Sequence, residues 1–415
     1  MNILLINAYF TPEVIAFSHL EKNLIEGLLA AGHRISVLCP TPTRGVSDEV
    51  ARAYRKVKRE TLYDDRVSVR RFAAPREGRN PLVRAFRYFW CNLRQYQLGK
   101  QYSDVDAVFC VSTPPTQGWL SAKVAKKLAK KYGHKVSFVY SLQDVFPDSL
   151  VTTGLTKKGS LLWKIGRKIE DTTYAHADRI VVISESMKKN ITDKGVPEDT
   201  IEVVSNWIDT EEIRPVPREE NRLFEEFGLD RNKFTVVYAG NFGAAQGADV
   251  VLDAAELLKK DPDVQFAVFG GGAGFEAAKA TVSEQELSNV TINGLLPAHR
   301  VPEVYSLGDV ALITCKKGVG SSGMPSKTWS IMACDTPIIA AFATESELAD
   351  ILARAGAGIS VEPENAEALA DAILSVKNGE KAPHGGRAYV CEHAEKTVCV
   401  ARYVKILKDC VENMK

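Results

Sequence analysis

The chain has 415 residues, more than one compact core usually serves, so two domains are expected. Its composition, 45% hydrophobic and 25% charged residues, excludes a disordered or fibrous protein. The net charge of +1 conceals an uneven distribution, because residues 1–200 carry +12 and residues 201–415 carry −11. The two halves are therefore expected to bind different partners.

The amino-terminal sequence MNILLINAYFTPE has no basic region before its apolar run, so it predicts a strand rather than a signal peptide. No stretch of 18 apolar residues occurs, so no membrane span is predicted. The eight cysteines include no C-x-x-C pair and are expected to be free core thiols. That usage indicates a reducing, cytoplasmic compartment.

Short apolar runs alternate with helix-length amphipathic stretches, a pattern typical of βαβ units and parallel sheets. In the first half we predict strands at 2–7, 34–39, 67–72, 105–110, 135–140, 179–184 and 200–205, and helices notably at 17–31, 116–132 and 160–176. In the second half we predict strands at 234–240, 264–270, 289–294, 309–314, 336–342 and 357–362, again alternating with helices.

The predicted architecture is therefore α/β, with two Rossmann-like, doubly wound domains at 1–205 and 221–390. The stretch 206–220 has two prolines, many charges and no periodic apolar face, so it is the predicted linker. The stretch 390–415 has one apolar helical face and could pack back on the first domain.

The segment 79–100 interleaves basic with aromatic residues. If it is helical, one face carries the large apolar side chains and arginines border it; the face is Leu82, Phe86, Phe89, Leu93 and Tyr96. Such a helix can lie in the interface of an anionic bilayer. The alternative is a core-packed helix with a solvated basic edge.

Two glycine-rich loops follow the first strands of the second half. In AGNFGAAQG (239–247) the glycines allow close approach of a ligand to the backbone, and Asn241 and Gln246 offer neutral hydrogen bonds. In FGGGAGFE (269–276) the backbone of Gly271–Gly274 can pass under a sugar or nucleotide. The second loop is not a dinucleotide fingerprint, since its sixth position is Phe275.

A third loop, GVGSSGMPSKTWSIMA (318–333), leads into a helix predicted to begin near Pro325. Backbone amides at 320–324 and the charge of Lys327 in the first turn suit a diphosphate. The alternative is a surface loop with a solvated lysine. Three such loops on successive strands of one sheet predict a common ligand site at the carboxyl ends of the strands.

Other common catalytic signatures do not occur in this sequence. It contains no H-E-x-x-H, no histidine, cysteine and aspartate cluster with metal spacing, no G-x-S-x-G and no G-x-x-x-x-G-K-[ST]. We therefore predict no metal site.

Eight segments, in the same order, resemble the retaining family-four glycosyltransferases. They are YFTPEVIAFSHLEKNLIEGLLAAGHRISVLCP (9–40), DVFPDS (144–149), ADRIVVISESMKKNI (177–191), VVSNWID (203–209), VVYAGNFGAAQG (236–247), VFGGGAGFE (268–276), NVTINGLLP (289–297) and MPSK (324–327). The chain looks most similar to the branch that makes O-antigen and colanic-acid-like polysaccharides, which includes amino-deoxyhexose transferases.

The resemblance implies a GT-B fold, whose two domains face each other across a cleft, and sugar transfer with retention at the anomeric carbon and without a divalent metal. The donor would be a nucleotide sugar, with UDP as the expected nucleotide, and it is a substrate rather than a cofactor. The acceptor, bound on the N-terminal side, would be an anionic polyprenyl-diphosphate-linked saccharide at the inner face of the cell membrane.

The expected site residues follow from the loops and the resemblance together. Catalytic roles are assigned to Lys327, Asp144 and Gln246, although Asp144 could equally be a helix N-cap before Pro147. Donor binding is assigned to Gly240, Asn241, Phe242, Gly243, Gln246, Gly271, Gly272, Gly274, Leu296, Ser321, Ser322, Gly323, Met324, Pro325, Ser326, Lys327 and Ser330. Acceptor and membrane contacts are assigned to Arg84, Arg87, Phe89, Trp90 and Arg94.

The chain departs from the family pattern at three places. Asn241 and Gln246 stand where an arginine and a lysine are usual, Ser322 and Ser330 stand where two glutamates are usual, and Gln143 precedes Asp144 where many members have histidine. Lys327 therefore becomes the expected cation for the leaving diphosphate. A catalytically silent nucleotide-binding scaffold and a GT-B nucleotide-sugar epimerase are the alternatives.

Overall fold

A computed structural model describes residues 1–15, 17–76, 81–152, 154–319 and 324–412, without the side chains of residues 81, 82 and 152. The chain divides into two compact units. Unit 1 contains Met1–Ser205 together with the chain from Cys399 onward, and unit 2 contains Asn206–Val398.

Unit 1 is built on an eight-stranded sheet, which runs in the order β3-β4-β2-β1-β5-β6-β7-β8. Its strands are β1 (Asn2–Ile6), β2 (Arg34–Pro40), β3 (Arg59–Leu62), β4 (Val67–Phe72), β5 (Ala107–Val111), β6 (Ser137–Leu142), β7 (Arg179–Val182) and β8 (Ile201–Val203). Its helices are α1 (Ser18–Ala30), α2 (Asp48–Tyr54), α3 (Pro81–Gly99), α4 (Gln117–Tyr132), α5 (Asp148–Thr152), α6 (Leu161–Tyr174) and α7 (Glu185–Thr192). All pairings except one are parallel, as the βαβ pattern predicts.

The exception is β3, an edge strand that pairs antiparallel with β4 and that we did not predict. Its sequence, RETL, has one apolar residue, and every side chain in it is at least partly exposed. Because a strand at a sheet edge needs no continuous apolar run, hydrophobic patterning did not detect it.

Unit 2 is a six-stranded, all-parallel sheet in the order β11-β10-β9-β12-β13-β14. Its strands are β9 (Phe234–Asn241), β10 (Val264–Gly271), β11 (Val290–Gly294), β12 (Val310–Thr314), β13 (Ile338–Ala341) and β14 (Gly358–Val361). Its helices are α8 (Leu223–Glu226), α9 (Asp249–Leu257), α10 (Phe275–Glu284), α11 (Val301–Tyr305), α12 (Lys327–Ala333), α13 (Glu347–Ala355), α14 (Ala366–Lys377) and α15 (Arg387–His393).

Successive residues of the central strands enter the hydrophobic layers on opposite faces of this sheet. Val236 and Tyr238 pack in one layer, whereas Val237 packs in the other. Both faces are therefore buried, which is why the strands read as continuous apolar runs rather than as alternating ones.

The last helix, α16 (Lys396–Glu412), begins in unit 2 and belongs to unit 1 from Cys399 onward. The Tyr403 hydroxyl lies 3.0 Å from that of Ser141 on β6, and its ring packs edge-on against Phe109 on β5. The hydroxyl of Ser137 donates to the carbonyl of Cys410 at 3.0 Å. The predicted single helix over 390–415 is two helices, α15 and α16, in the part that the structure describes, which ends at residue 412, because the chain leaves helical geometry at Ala394.

The stretch 206–220 was predicted to be a linker, but it packs within unit 2. Trp207 is buried, and the amide of Ile208 donates to the carbonyl of Ala394 at 2.9 Å. The guanidinium of Arg387 donates to the carbonyl of Thr210 at 2.8 Å. The prolines and charges that indicated a linker instead belong to an irregular segment held by backbone hydrogen bonds.

Seven of the eight cysteines are buried and Cys391 on α15 is exposed; none of these eight described residues forms a disulfide. Among the described helices, none has the length and the apolarity that crossing a bilayer requires.

Candidate functional site

The three glycine-rich loops follow neighbouring strands. β9 lies between β10 and β12, so the loops after all three leave the same edge of the sheet. Strand order reverses between β9 and β12, since β10 and β11 extend to one side and β13 and β14 to the other. Ligands of doubly wound sheets bind at this switch point, outside the carboxyl ends of the strands.

Lys327 reaches across this switch point. It is the first residue of α12, and its Nζ donates to the carbonyl of Ala239 at 3.3 Å and lies 4.3 Å from the centre of the Tyr238 ring. Burial lowers the pKa of Lys327 to about 8. The structure thus brings the ammonium group to the end of β9, held by one carbonyl and one aromatic face.

Gly240 makes room for this lysine. A Cβ at that position would lie 3.0 Å from the Lys327 Nζ, closer than ordinary contact. Any larger residue would therefore push the ammonium group away from the strand end. The need for a glycine at position 240 is therefore explained by the Lys327 side chain, as well as by close approach of a ligand to the backbone.

The side chains of Asn241 and Gln246 both lie close to Gly243, and that of Asn241 also lies close to Gly272 in the loop 269–276. A Cβ at Gly243 would contact both amides, at 2.7 Å from the Asn241 Nδ2 and 2.6 Å from the Gln246 Oε1. A Cβ at Gly272 would overlap the Asn241 Oδ1, and Gly272 has a φ of +98°. The glycines therefore create space for two neutral amides, so that hydrogen-bonding groups converge where the resemblance places a donor.

Phe242 was assigned to donor binding, but it is a core residue. It is 3% exposed and packs against the rings of Tyr238 and Phe275. Its backbone amide donates to the carbonyl of Gly271 and its carbonyl accepts from Gly274. Phe242 ties the two loops together and has no polar group left for a ligand.

Leu296 is partly buried against the core of unit 2. Its neighbour Leu295 is 56% exposed and would be 3.2 Å from a Cβ at Gly271. Leu295 is thus the leucine that borders the glycine loop. Sequence reasoning missed it because the motif contains two adjacent leucines and does not show which of them faces outward.

The loop 318–333 is described only in part. Ser321, Ser322 and Gly323 lie outside the described residues. The helix begins at Lys327, two residues after Pro325, and the carbonyl of Pro325 accepts from the Thr328 amide at 3.0 Å. Met324, Pro325 and Ser330 are half-buried and Ser326 is exposed.

Asp144 belongs to unit 1 and is exposed after the end of β6. The next helix, α5, begins at Asp148, so Asp144 is not its N-cap. The preceding residue, Gln143, donates from its side chain to Ser141, the hydroxyl that also meets Tyr403. The Asp144 loop is thereby linked to the last helix.

Of the arginines on α3, Arg84 is exposed and Arg94 is half-buried. Arg87 was expected on the surface, but it is 1% exposed. Its guanidinium donates to the carbonyl of Pro75 at 2.9 Å and lies over the Tyr9 ring. It therefore stabilises the fold and cannot contact a membrane. Trp90 is half-buried and its Nε1 donates to the carbonyl of Ala73.

Two carboxyl groups near the end of β1 were not singled out from the sequence. Glu13 is buried and accepts hydrogen bonds from the backbone amides of Phe10, Thr43 and Arg44. Burial, and to a smaller extent the charge of Glu13, raises the pKa of Glu21 to about 8.

Across the described ranges, no three His, Cys, Asp or Glu side chains are grouped so that they could hold a metal ion.

Two family models match the chain in succession. Residues 22–212 match the model described as Glycosyltransferase Family 4, and residues 219–390 match Glycosyl transferases group 1. The chain belongs to the GT-B glycosyltransferases. The glycine loops and Lys327 all lie in the part that matches the second model.

Two similar proteins are also glycosyltransferases by name. The chain is 31% identical over 256 residues to the Pseudomonas aeruginosa protein named "Probable glycosyltransferase WbjE". This alignment covers 62% of this chain and 64% of that protein. The chain is 28% identical over 250 residues to the Escherichia coli protein named "Putative colanic acid biosynthesis glycosyl transferase WcaI", covering 59% and 61%. These matches span less than two thirds of the relatives' own length.

Solved GT-B structures share the fold over the whole chain. Sucrose-phosphate synthase from Thermosynechococcus elongatus matches with a TM-score of 0.73 at 16% identity, and the alignment covers 99% of both chains. HepE from Anabaena, solved in complex with UDP, matches with a TM-score of 0.68 at 14% identity and covers 99% of this chain and all of its own. The predicted GT-B fold class is confirmed.

Proposed function

We propose that this GT-B protein transfers a sugar from a UDP-sugar to a lipid-linked saccharide in bacterial surface polysaccharide biosynthesis, with retention at the anomeric carbon. The observation that carries the proposal is the position of Lys327 at the switch point of unit 2, at the end of β9, the strand that leads into the loop of Asn241 and Gln246. The UDP complex of HepE supports the nucleotide, the name of WbjE supports glycosyl transfer, and the name of WcaI supports polysaccharide biosynthesis.

Sugar transfer from a nucleotide sugar is favoured by a cation beside the diphosphate, and we assign that role to Lys327. Breaking a glycosyl–phosphate bond builds negative charge on the departing diphosphate, and a donor fixed in advance beside that charge lowers the barrier. Lys327 provides a full positive charge, and the amides of Asn241 and Gln246 provide neutral hydrogen bonds. Asp144 would orient a hydroxyl of the acceptor or donor.

A donor screen tests this function directly. The protein is incubated with a panel of UDP-sugars and GDP-sugars and with a polyprenyl-diphosphate-linked saccharide, and products are identified by mass spectrometry. Transfer from a UDP-sugar, with the anomeric configuration retained, supports the proposal. UDP binding without any transfer would identify a silent scaffold, and conversion of the donor alone into an epimer would identify an epimerase.

Chelation gives a further prediction. The Lys327 Nζ lies at the carbonyl of Ala239 and over the Tyr238 ring, so we expect the lysine to carry the charge that Mg²⁺ or Mn²⁺ carries elsewhere. Transfer should stay within about twofold of its initial rate in excess EDTA. Loss of activity on chelation, with recovery on addition of Mn²⁺, would contradict this assignment.

We also propose that unit 1 binds the membrane surface through α3. Val83, Phe86 and Phe89 on this helix are 41%, 56% and 65% exposed, although each is large and apolar. Arg84 lies among them, and the first 200 residues carry a net charge of +12. Exposed apolar side chains beside basic ones are the combination that holds a helix in an anionic interface.

The protein should bind phosphatidylglycerol vesicles but not phosphatidylcholine vesicles, and 0.5 M salt should weaken binding because it screens the charges. Combined Arg84→Glu and Arg94→Glu changes should reduce the bound fraction at least about threefold in a flotation assay. The matched control reverses two lysines of unit 2, Lys260→Glu and Lys279→Glu, and should leave binding unchanged. Equal binding to neutral vesicles would refute the electrostatic basis.

A further inference from the structure

A groove of about 600 Å³ lies between α3 and α4 on unit 1. The two helices are held side by side at two points. The Asn92 side chain donates to the Thr116 hydroxyl at 2.8 Å, and a Cβ at Gly99 would lie 3.0 Å from Val124. The groove runs along these two helices. Neither the glycine-rich loops nor Asp144 lines it.

The wall of the groove is apolar and aromatic. Phe89, Leu93 and Tyr96 line it from α3, and Trp119 lines it from α4. Phe89 and Leu93 remain 65% and 39% exposed, so the fold itself leaves apolar surface uncovered here. A concave apolar surface of this kind favours a hydrocarbon chain over a polar ligand.

Four lysines of α4 border the same groove: Lys123, Lys126, Lys127 and Lys130. Their spacing places them on one side of the helix, while Val124 and Leu128 on the other side are buried in the core. All four are exposed, and Lys123 lies 3.5 Å from the centre of the Trp119 ring. Among the described residues that line the groove none is acidic.

We infer that this groove binds the isoprenyl chain of the lipid-linked acceptor and that the lysine row binds its diphosphate. The identity of the lipid rests on the proposed function, whereas its binding position rests on the residues that line the groove. An apolar groove bordered by four exposed lysines complements a ligand that has a hydrocarbon chain at one end and several negative charges at the other. Such a ligand would be held at unit 1 while its saccharide remains free to react.

The experiment titrates the full-length protein by calorimetry with farnesyl diphosphate, at saturating UDP so that the donor site is filled. Farnesol, which has the isoprenyl group without the diphosphate, and inorganic diphosphate, which has the charge without the isoprenyl group, are titrated separately. Farnesyl diphosphate should bind at least tenfold more tightly than either, because only this ligand uses both the wall and the lysines. Equal affinity for inorganic diphosphate, or equal affinity for a lysophosphatidic acid, would overturn the assignment.

Two variants locate the binding. Leu93→Glu places a charge in the wall, and the pair Lys126→Glu and Lys130→Glu reverses the rim; each should weaken farnesyl diphosphate binding at least tenfold. The matched control, Lys157→Glu with Lys158→Glu, makes the same charge change on exposed lysines of unit 1 outside the groove and should stay within twofold. Unchanged binding in both groove variants would refute the site.

The two proposals can fail separately. UDP affinity and transfer to a water-soluble saccharide acceptor are measured in the same variants. If these activities persist while farnesyl diphosphate does not bind, the groove assignment is wrong and the transferase assignment stands. If farnesyl diphosphate binds as expected but no donor is used, the transferase assignment is wrong.

Discussion

Replacing Lys327 with alanine is expected to lower the turnover number at least about tenfold while leaving the fold intact, because a cation beside developing charge acts mainly on the barrier. Within the described part of the chain, the Lys327 ammonium group has one hydrogen bond, to the carbonyl of Ala239, and lies over the Tyr238 ring, so we expect its removal to leave the fold intact. Steady-state transfer from the donor that the screen identifies measures the effect. Turnover within twofold of the parent would show that another group carries the diphosphate charge.

The pH dependence of transfer tests the same lysine independently. Burial lowers the pKa of Lys327 to about 8, and the protonated form is the one that stabilises the diphosphate. The value of kcat/KM should therefore fall as pH rises through about 8 in the free protein. Lys327→Arg keeps its charge in this range, so the fall should disappear in that variant. A parent profile that is flat between pH 7 and 9 would contradict the lowered pKa.

Replacing Tyr403 with alanine is expected to destabilise unit 1 by roughly 3–5 kcal/mol. The ring is 2% exposed and packs against Phe109, so truncation leaves a cavity between α16 and the sheet. The Ser141 hydroxyl would also lose one of its two described partners, the Tyr403 hydroxyl at 3.0 Å, and keep the Gln143 side chain. Urea unfolding, followed by hydrogen exchange of the amides in β5 and β6, measures the change for unit 1 separately from unit 2.

Two further variants separate packing from hydrogen bonding and from general effects. Tyr403→Phe removes only the hydroxyl and should cost about 1 kcal/mol. Tyr389→Ala removes a half-buried tyrosine of unit 2 that stacks on Trp329 and should leave exchange in β5 and β6 unchanged. A loss below about 1 kcal/mol for Tyr403→Ala would mean that α16 contributes little to unit 1.

The alternation of strands and helices was predictable because buried parallel strands require apolar runs. Every predicted strand overlaps an observed one, from β1 at Asn2–Ile6 to β14 at Gly358–Val361. The position of the glycine loops was predictable too, since loops after adjacent parallel strands must leave the same sheet edge. Lys327 was predicted in the first turn of the helix after such a loop, and α12 begins at this residue. Its contact with the carbonyl of Ala239 at the end of β9 was not predicted.

The remainder depends on contacts between residues far apart in sequence. Arg87 was read as a membrane contact from its place among aromatic residues, yet it is buried against Tyr9 and the carbonyl of Pro75. Phe242 is a core residue for a similar reason, because Phe275 covers it. Periodicity shows that a residue is on a helix or in a loop, but not which neighbour covers it.

The return of α16 to unit 1 has a consequence for the order in which the chain folds during synthesis. The ribosome completes residues 1–205 long before it makes Tyr403 and Cys410, which cover Phe109 and bond to Ser137 and Ser141. Until then that face of the first sheet lacks its last helix. All of unit 2 has been synthesised before the chain from Cys399 onward is made. Unit 2, although most of it is translated after unit 1, can therefore finish folding before unit 1 does.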